Sequence, residues 1–177
     1  SNSIFVKDVN KIMNDDYMKS YEAARKQGAF TFWNHPHWIG QRKDASVKVY
    51  KEVEELINKR LLHGIEVTNE RTYSDQAIQV ALDHDLTMIG TSDVHNLVDW
   101  DYKIPQGGHR PVTLAFSKRK NLKDLKRSLF QGRTVVWFKN ILIGKNEWIA
   151  PLIDASLTID SAGFYKDYEL GIVKIKN

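Results

Sequence analysis

The stretch Leu86-Thr87-Met88-Ile89-Gly90-Thr91-Ser92-Asp93-Val94-His95-Asn96 decides the fold. It opens as a short apolar run, passes through the small residues Gly90, Thr91 and Ser92, and ends in Asp93 and His95. A helical pattern with Ala77, Ile78, Ala81 and Leu82 facing inward comes just before it. An apolar run behind such a helix reads as a buried strand of an α/β protein. Chemistry in these folds collects where strands end, at their carboxyl edge. Asp93 and His95 alternate to the same side of an extended chain. That suits two ligands of one metal cluster.

Outward from this stretch, strand and helix signals alternate. Residues 3–7, 29–33, 65–68, 112–116 and 134–138 read as strands. Asn14 or Asp15 can cap a helix that Gly28 ends. Val47, Tyr50, Val53, Ile57 and Leu61 form a helical stripe closing near Gly64. Ser74 and Asn121 cap two further helices, the second ending at Gly132. Residues 40–45 form a polar loop, and residues 96–111 form a long one of the kind that often carries function. This order predicts βαβ units and a mainly parallel sheet or barrel over residues 1–148. From residue 149 the pattern changes. Residues 155–159 and 171–175 alternate in polarity, which predicts a small β-rich appendage over 149–177.

The totals set bounds. The 177 residues suffice for one domain with a core, plus an appendage. No apolar run approaches the roughly 20 residues of a membrane span. Residues 1–8 lack the basic flank and long apolar segment of a signal peptide. The chain has no cysteine, so disulfides and thiolate zinc sites are excluded. Any transition metal must rest on His, Asp and Glu. Much of the net charge of +4 lies in residues 118–145, where Asp124 is the single acid. That run reads as a solvated face, with attraction to phosphate-bearing ligands as the sharper alternative.

Three strand ends carry polar residues: His35, the group Glu66, Asn69 and Arg71, and the pair Asp93 and His95. His-Pro at one strand end and Ser-Asp-x-His at another, about sixty residues later, make a specific joint pattern. The pattern resembles the carboxyl-terminal half of a PHP domain, the polymerase and histidinol phosphatase superfamily. Phe32-Trp33-Asn34-His35-Pro36 resembles its histidine-proline motif, Gly64-Ile65-Glu66-Val67-Thr68-Asn69 the Glu-x-x-Asn strand, and Gly90-Thr91-Ser92-Asp93-Val94-His95 the closing motif. The stretch from Asn34 through Asn140, with Arg133-Thr134-Val135-Val136-Trp137-Phe138 included, is especially similar to the branch called Sb-PDE family phosphodiesterases, and the resemblance covers roughly residues 3–160.

The resemblance implies part of a (β/α)7, TIM-like barrel with two or three divalent metals, zinc, manganese or iron. It implies phosphoester hydrolysis by metal-activated water, on a phosphorylated small molecule or a phosphodiester. By matching position, His35, Asp93 and His95 are metal ligands, each of a different ion, with Asp93 and His95 also catalytic. Glu66 is expected to orient a ligand from behind. His37, Asn69, Arg71 and Arg110 are expected to contact substrate, the arginines because a guanidinium forks onto phosphate oxygens. The family begins with a His-x-His strand, further histidines and a bridging glutamate, none of which occurs here; His35-Pro36-His37 has the spacing, but not at the start of a barrel. The chain therefore reads as half a barrel with too few ligands for activity alone, its open edge covered by the amino-terminal half or by a second copy. Two rivals follow from the same residues: an amide- or amine-cleaving metallohydrolase barrel, and a PHP-like structural or nucleic-acid-binding module. Chelation should abolish turnover by an enzyme, whereas rising salt should weaken a nucleic-acid binder.

Overall fold

Phe30–Trp33 is a strand because four consecutive large or β-branched residues follow a helix stop at Gly28, whose φ of +73° is left-handed. The computed structural model describes every residue except Arg42, which lies in the expected loop 40–45, and the side chain of Tyr168. In chain order the first unit, Ser1–Gly144, contains β1 (Asn2–Ile4), α1 (Tyr17–Lys26), β2 (Phe30–Trp33), α2 (Lys51–Asn58), β3 (Gly64–Asn69), β4 (Thr72–Tyr73) and α3 (Asp75–Asp83). It continues with β5 (Thr87–Thr91), α4 (Val98–Tyr102), β6 (Val112–Ala115), α5 (Leu122–Phe130), β7 (Thr134–Phe138) and β8 (Ile141–Gly144).

The helix caps follow local chemistry. Ser74 Oγ accepts from the Ala77 amide and Asn121 Oδ1 from the Asp124 amide, as the sequence predicts. The cap of α1 is Asp16, accepting from Met18 and Lys19, and neither Asn14 nor Asp15. Asn14 Oδ1 is occupied by the Asp16 amide and builds the turn in front of the helix. The stripe from Val47 to Leu61 is helical only over α2. The Val47 amide donates to Gln76 Oε1, and Arg60 turns left-handed, so Leu61 and Leu62 leave the helix and pack under Leu56.

Strands β2, β3 and β5 are parallel, with β3 between β2 and β5. Each is joined to the next through a helix, which is the expected βαβ pattern. Strand β1 is antiparallel to β2, and β4 folds back on β3 as a short hairpin. The main core lies where Ile65, Val67 and Met88 meet Ala77 and Ala81 of α3 and Val136 and Phe138 of β7. A second cluster joins Phe30 and Phe32 to Ile89 and Leu129.

The parallel barrel expectation needs correction. No closed barrel is present among the described residues, and β6, β7 and β8 form a separate antiparallel sheet. Two features account for this. The turn at Lys139, with φ of +51°, folds β8 straight back on β7. And the edge of β5 is met by side chains rather than by another strand. Thr113 Oγ1 accepts from the Gly90 amide at 2.9 Å and lies 3.0 Å from the Gly90 carbonyl, while Thr134 Oγ1 donates to the Met88 carbonyl at 2.9 Å. Met88 and Gly90 are alternate residues, so these backbone groups point to one edge of the strand. The backbone edge of β5 is thus met by threonine hydroxyls, beside the apolar contact of Val136 and Phe138.

The second unit, Lys145–Asn177, begins with α6 (Asn146–Ser156), which runs across residues 148 and 149 and contains Pro151. It continues as the antiparallel hairpin β9 (Thr158–Tyr165) and β10 (Leu170–Lys176). Both strands are exposed along their whole length. No helix among the described residues is long and apolar enough to cross a membrane.

Candidate functional site

Strands β2, β3 and β5 run parallel, so their carboxyl ends share one edge, where residues 34–38, 69–71 and 91–96 emerge. His35, Asp93 and His95 line one cavity of about 440 Å³ there, together with Arg71. Two of the three candidate ligands hold left-handed backbones, φ +33° at His35 and +47° at Asp93. Glu70, on the same cavity, has φ +53°. Non-glycine residues adopt this region at a cost of order 1–3 kcal/mol, and such residues gather at functional sites. Here the surrounding contacts show what holds them.

Glu66 is the centre of those contacts. It is 2% exposed, at the middle of β3. Its Oε2 accepts from the His35 backbone amide at 2.5 Å and from Asn69 Nδ2 at 3.0 Å. Its Oε1 accepts from Thr91 Oγ1 at 2.9 Å. One carboxylate therefore ties the ends of β2, β3 and β5 together and fixes the His35 backbone in its unusual conformation. Burial pushes the Glu66 carboxyl above the usual range, and the bonds from His35, Thr91 and Asn69 pull the other way.

The His35 ring is set by its neighbours. Nε2 lies 2.8 Å from the Asn34 side-chain nitrogen, and Nδ1 is buried without a hydrogen-bond partner among the described residues. As placed, Asn34 Nδ2 donates to Nε2, so Nδ1 carries the ring proton; with the Asn34 amide turned over, Nδ1 would instead hold the free lone pair that a metal ligand needs. Trp38 stands edge-on to the ring at 5.3 Å, and lies so close to Gly40 that a Cβ there would sit 2.5 Å from the indole. Pro36 is fully buried, which fixes the turn in which the Trp38 amide donates to the His35 carbonyl.

The remaining expected residues fall in different places. Arg71 lines the cavity, and its Nη2 donates to the Asp101 carbonyl at 3.0 Å. Asn69 is buried behind it, donating to Glu66 and Thr91. His37 is 8% exposed and does not line the cavity; its Nε2 donates to Thr72 Oγ1, whose own proton goes to the Asn69 carbonyl. Its Nδ1 has no partner among the described residues. Burial first, and then proximity to His35, hold the His37 imidazole below its ordinary range. Arg110 lines another cavity, of about 470 Å³, beside Ile89 and Thr113. Trp38 and Ser92 also line the site, as do Asp101 and Tyr102, which sequence reasoning missed. Tyr102 Oη donates to the Ser92 carbonyl at 2.6 Å, so α4 is latched to the end of β5.

His35, Asp93 and His95 carry the nitrogen and oxygen donors that zinc, manganese or iron accept. The buried, unpartnered Nδ1 of His35 would fit such an ion in the tautomer that leaves its lone pair free. Yet among the described residues no three His, Asp or Glu side chains stand close enough together to hold one. The donors share a cavity without forming a complete coordination sphere.

No family model and no curated protein matches the chain. Among solved structures, the chain is similar to a two-domain protein from Bacteroides vulgatus ATCC 8482, described as containing a predicted PHP-like metal-dependent phosphoesterase. The two share 38% sequence identity with a TM-score of 0.88, over 93% of this chain and 48% of the other. The chain thus spans about half the length of the structure it matches.

Proposed function

We propose that this chain supplies part of the active site of a PHP-type metal-dependent phosphoesterase, with a phosphodiester as the substrate and the Sb-PDE branch as its nearest kin. The observation that carries the reading is the placement of His35, from the His-Pro turn, and of Ser92, Asp93 and His95 on one cavity, in a chain similar at 38% identity to the Bacteroides vulgatus protein. Divalent ions, when bound, would neutralise phosphate charge and supply the nucleophile at neutral pH. The chain's own residues then have distinct tasks. His35 offers Nδ1, positioned through its backbone by Glu66. Asp93 brings the anionic donor and His95 a second imidazole. Arg71, braced by the Asp101 carbonyl, keeps further N–H groups for a phosphate oxygen. Asn69 and His37 act from behind, holding β3 and β4 in register.

The incomplete donor set supports a second element of the proposal. Further ligands, and the rest of a (β/α)7 barrel, come from outside residues 1–177, and this chain alone turns over no phosphoester. The test uses bis(p-nitrophenyl) phosphate with added manganese or zinc, on the full-length protein and on this chain. We expect hydrolysis by the full-length protein, abolished by chelator and reduced at least about 100-fold by Asp93→Ala. Full activity of Asp93→Ala, or activity that survives excess chelator, would overturn the reading.

A further inference from the structure

A second cavity, of about 370 Å³, shares Glu70, Arg71, Asp101 and Tyr102 with the first. These four residues form a common wall, so the cavities differ only in what each adds to it. The first adds His35, Asp93 and His95, an acid and two metal-capable rings. The second adds Lys103 and Lys139 above a floor of Phe138 and Pro111. Its cations, Arg71, Lys103 and Lys139, outnumber its acids, whereas the first cavity holds Arg71 against Glu70, Asp93 and Asp101. Polarity therefore reverses across one wall. One side suits metal cations and the other suits an anion.

The second cavity is also held in shape. Both lysines have left-handed backbones, φ +49° at Lys103 and +51° at Lys139. The Gly108 amide donates to the Lys103 carbonyl, and a Cβ on Gly108 would fall 2.0 Å from the Tyr102 carbonyl oxygen, so only glycine permits this close approach. His109 bridges the two walls, with Nε2 donating to the Lys139 carbonyl at 2.8 Å. The Lys139 ammonium lies 4.9 Å from the Phe138 ring centre, at the floor.

We propose that this cavity is a subsite for a second phosphate group of the substrate. The inference rests on the phosphoesterase reading. Arg71, on the shared wall, would lie between the reacting phosphate and the second one. The ligand class is a phosphorylated alcohol or nucleotide fragment that carries charge at both ends.

The test reads binding without metal or turnover, so its failure is separable from failure of the phosphoesterase reading. Inorganic phosphate is titrated into the whole chain and followed by 15N–1H NMR. We expect the amides of Lys103, Gly108, Lys139 and Asn140 to shift together. A double variant, Lys103→Asn with Lys139→Asn, should weaken that binding at least tenfold; asparagine tolerates the left-handed backbone at both positions. Removing the same charge elsewhere, by Lys118→Asn with Lys120→Asn, should leave it unchanged. Shifts confined to residues 92–96, unaltered affinity in the first variant, or equal loss in the second would overturn the subsite.

Discussion

Glu66 shows how one side chain sets a site it does not line. Its carboxylate satisfies the His35 amide, the Asn69 side-chain amide and the Thr91 hydroxyl. Glu66→Ala would leave all three donors buried without an acceptor, and is expected to lower stability by about 2–4 kcal/mol in urea unfolding. Glu66→Gln keeps an oxygen for His35 and presents an N–H to Thr91, so it should stay within about 1 kcal/mol of wild type. The two variants also separate charge from shape. Burial raises the Glu66 carboxyl above its ordinary value of 4.5, so the fold prefers the protonated form. Its contribution is present below that ordinary value and is lost as pH rises through the folded value. Stability of Glu66→Gln relative to wild type should therefore improve from about pH 4 to about pH 8. A difference that stays flat over this range would sink the assignment of burial as the leading cause.

Among the elements, β5 is the most tightly specified. A Cβ on Gly90 would sit 2.3 Å from Val136 Cγ1 and 2.7 Å from Thr68 Oγ1. Gly90→Ala is expected to cost about 1–3 kcal/mol by overpacking. Adding Val136→Ala should cost less than the sum of the two single changes, as a thermal-melt double-mutant cycle would read. Independent, additive losses would mean that β7 does not press on β5. The same elements mark what the sequence made legible. Helices α3 and α5 could be read because their signals are local, in the caps Ser74 and Asn121 and the stops that follow. The convergence of His35, Asp93 and His95 on one cavity was readable where strand ends and residue types coincide. Strands β4 and β8 are too short to show a period, and helix α4 starts at Leu97 without a side-chain cap. The reversal of β7 against β6 depends on pairing between distant segments, which periodicity does not encode. Tyr102 enters the site at the end of α4, by a contact that no spacing rule anticipates.

At the scale of the whole molecule, the two units carry very different burial. Among the described residues the first contains all of the buried hydrophobic ones, whereas β9 and β10 are exposed on both faces. Residues 1–144 expressed alone should keep a cooperative melt within a few degrees of the full chain. A peptide of residues 145–177 should show none, since a lone two-stranded hairpin is at best marginal in water. A cooperative transition in that peptide, or loss of folding in residues 1–144, would contradict this division. Within the first unit, the hydrogen bonds between sheets run through the hydroxyls of Thr113 and Thr134 rather than through strand pairing, beside the apolar contact of Val136 and Phe138. In isotope-exchange terms, this makes the Gly90 amide a clock. Its proton is bonded to a side chain of the other sheet, so deuterium enters when β6 draws away from β5, even while β3 still holds that strand. The exchange rate of this one amide would time the parting of the two sheets, a motion to which the neighbouring β3–β5 amides stay blind.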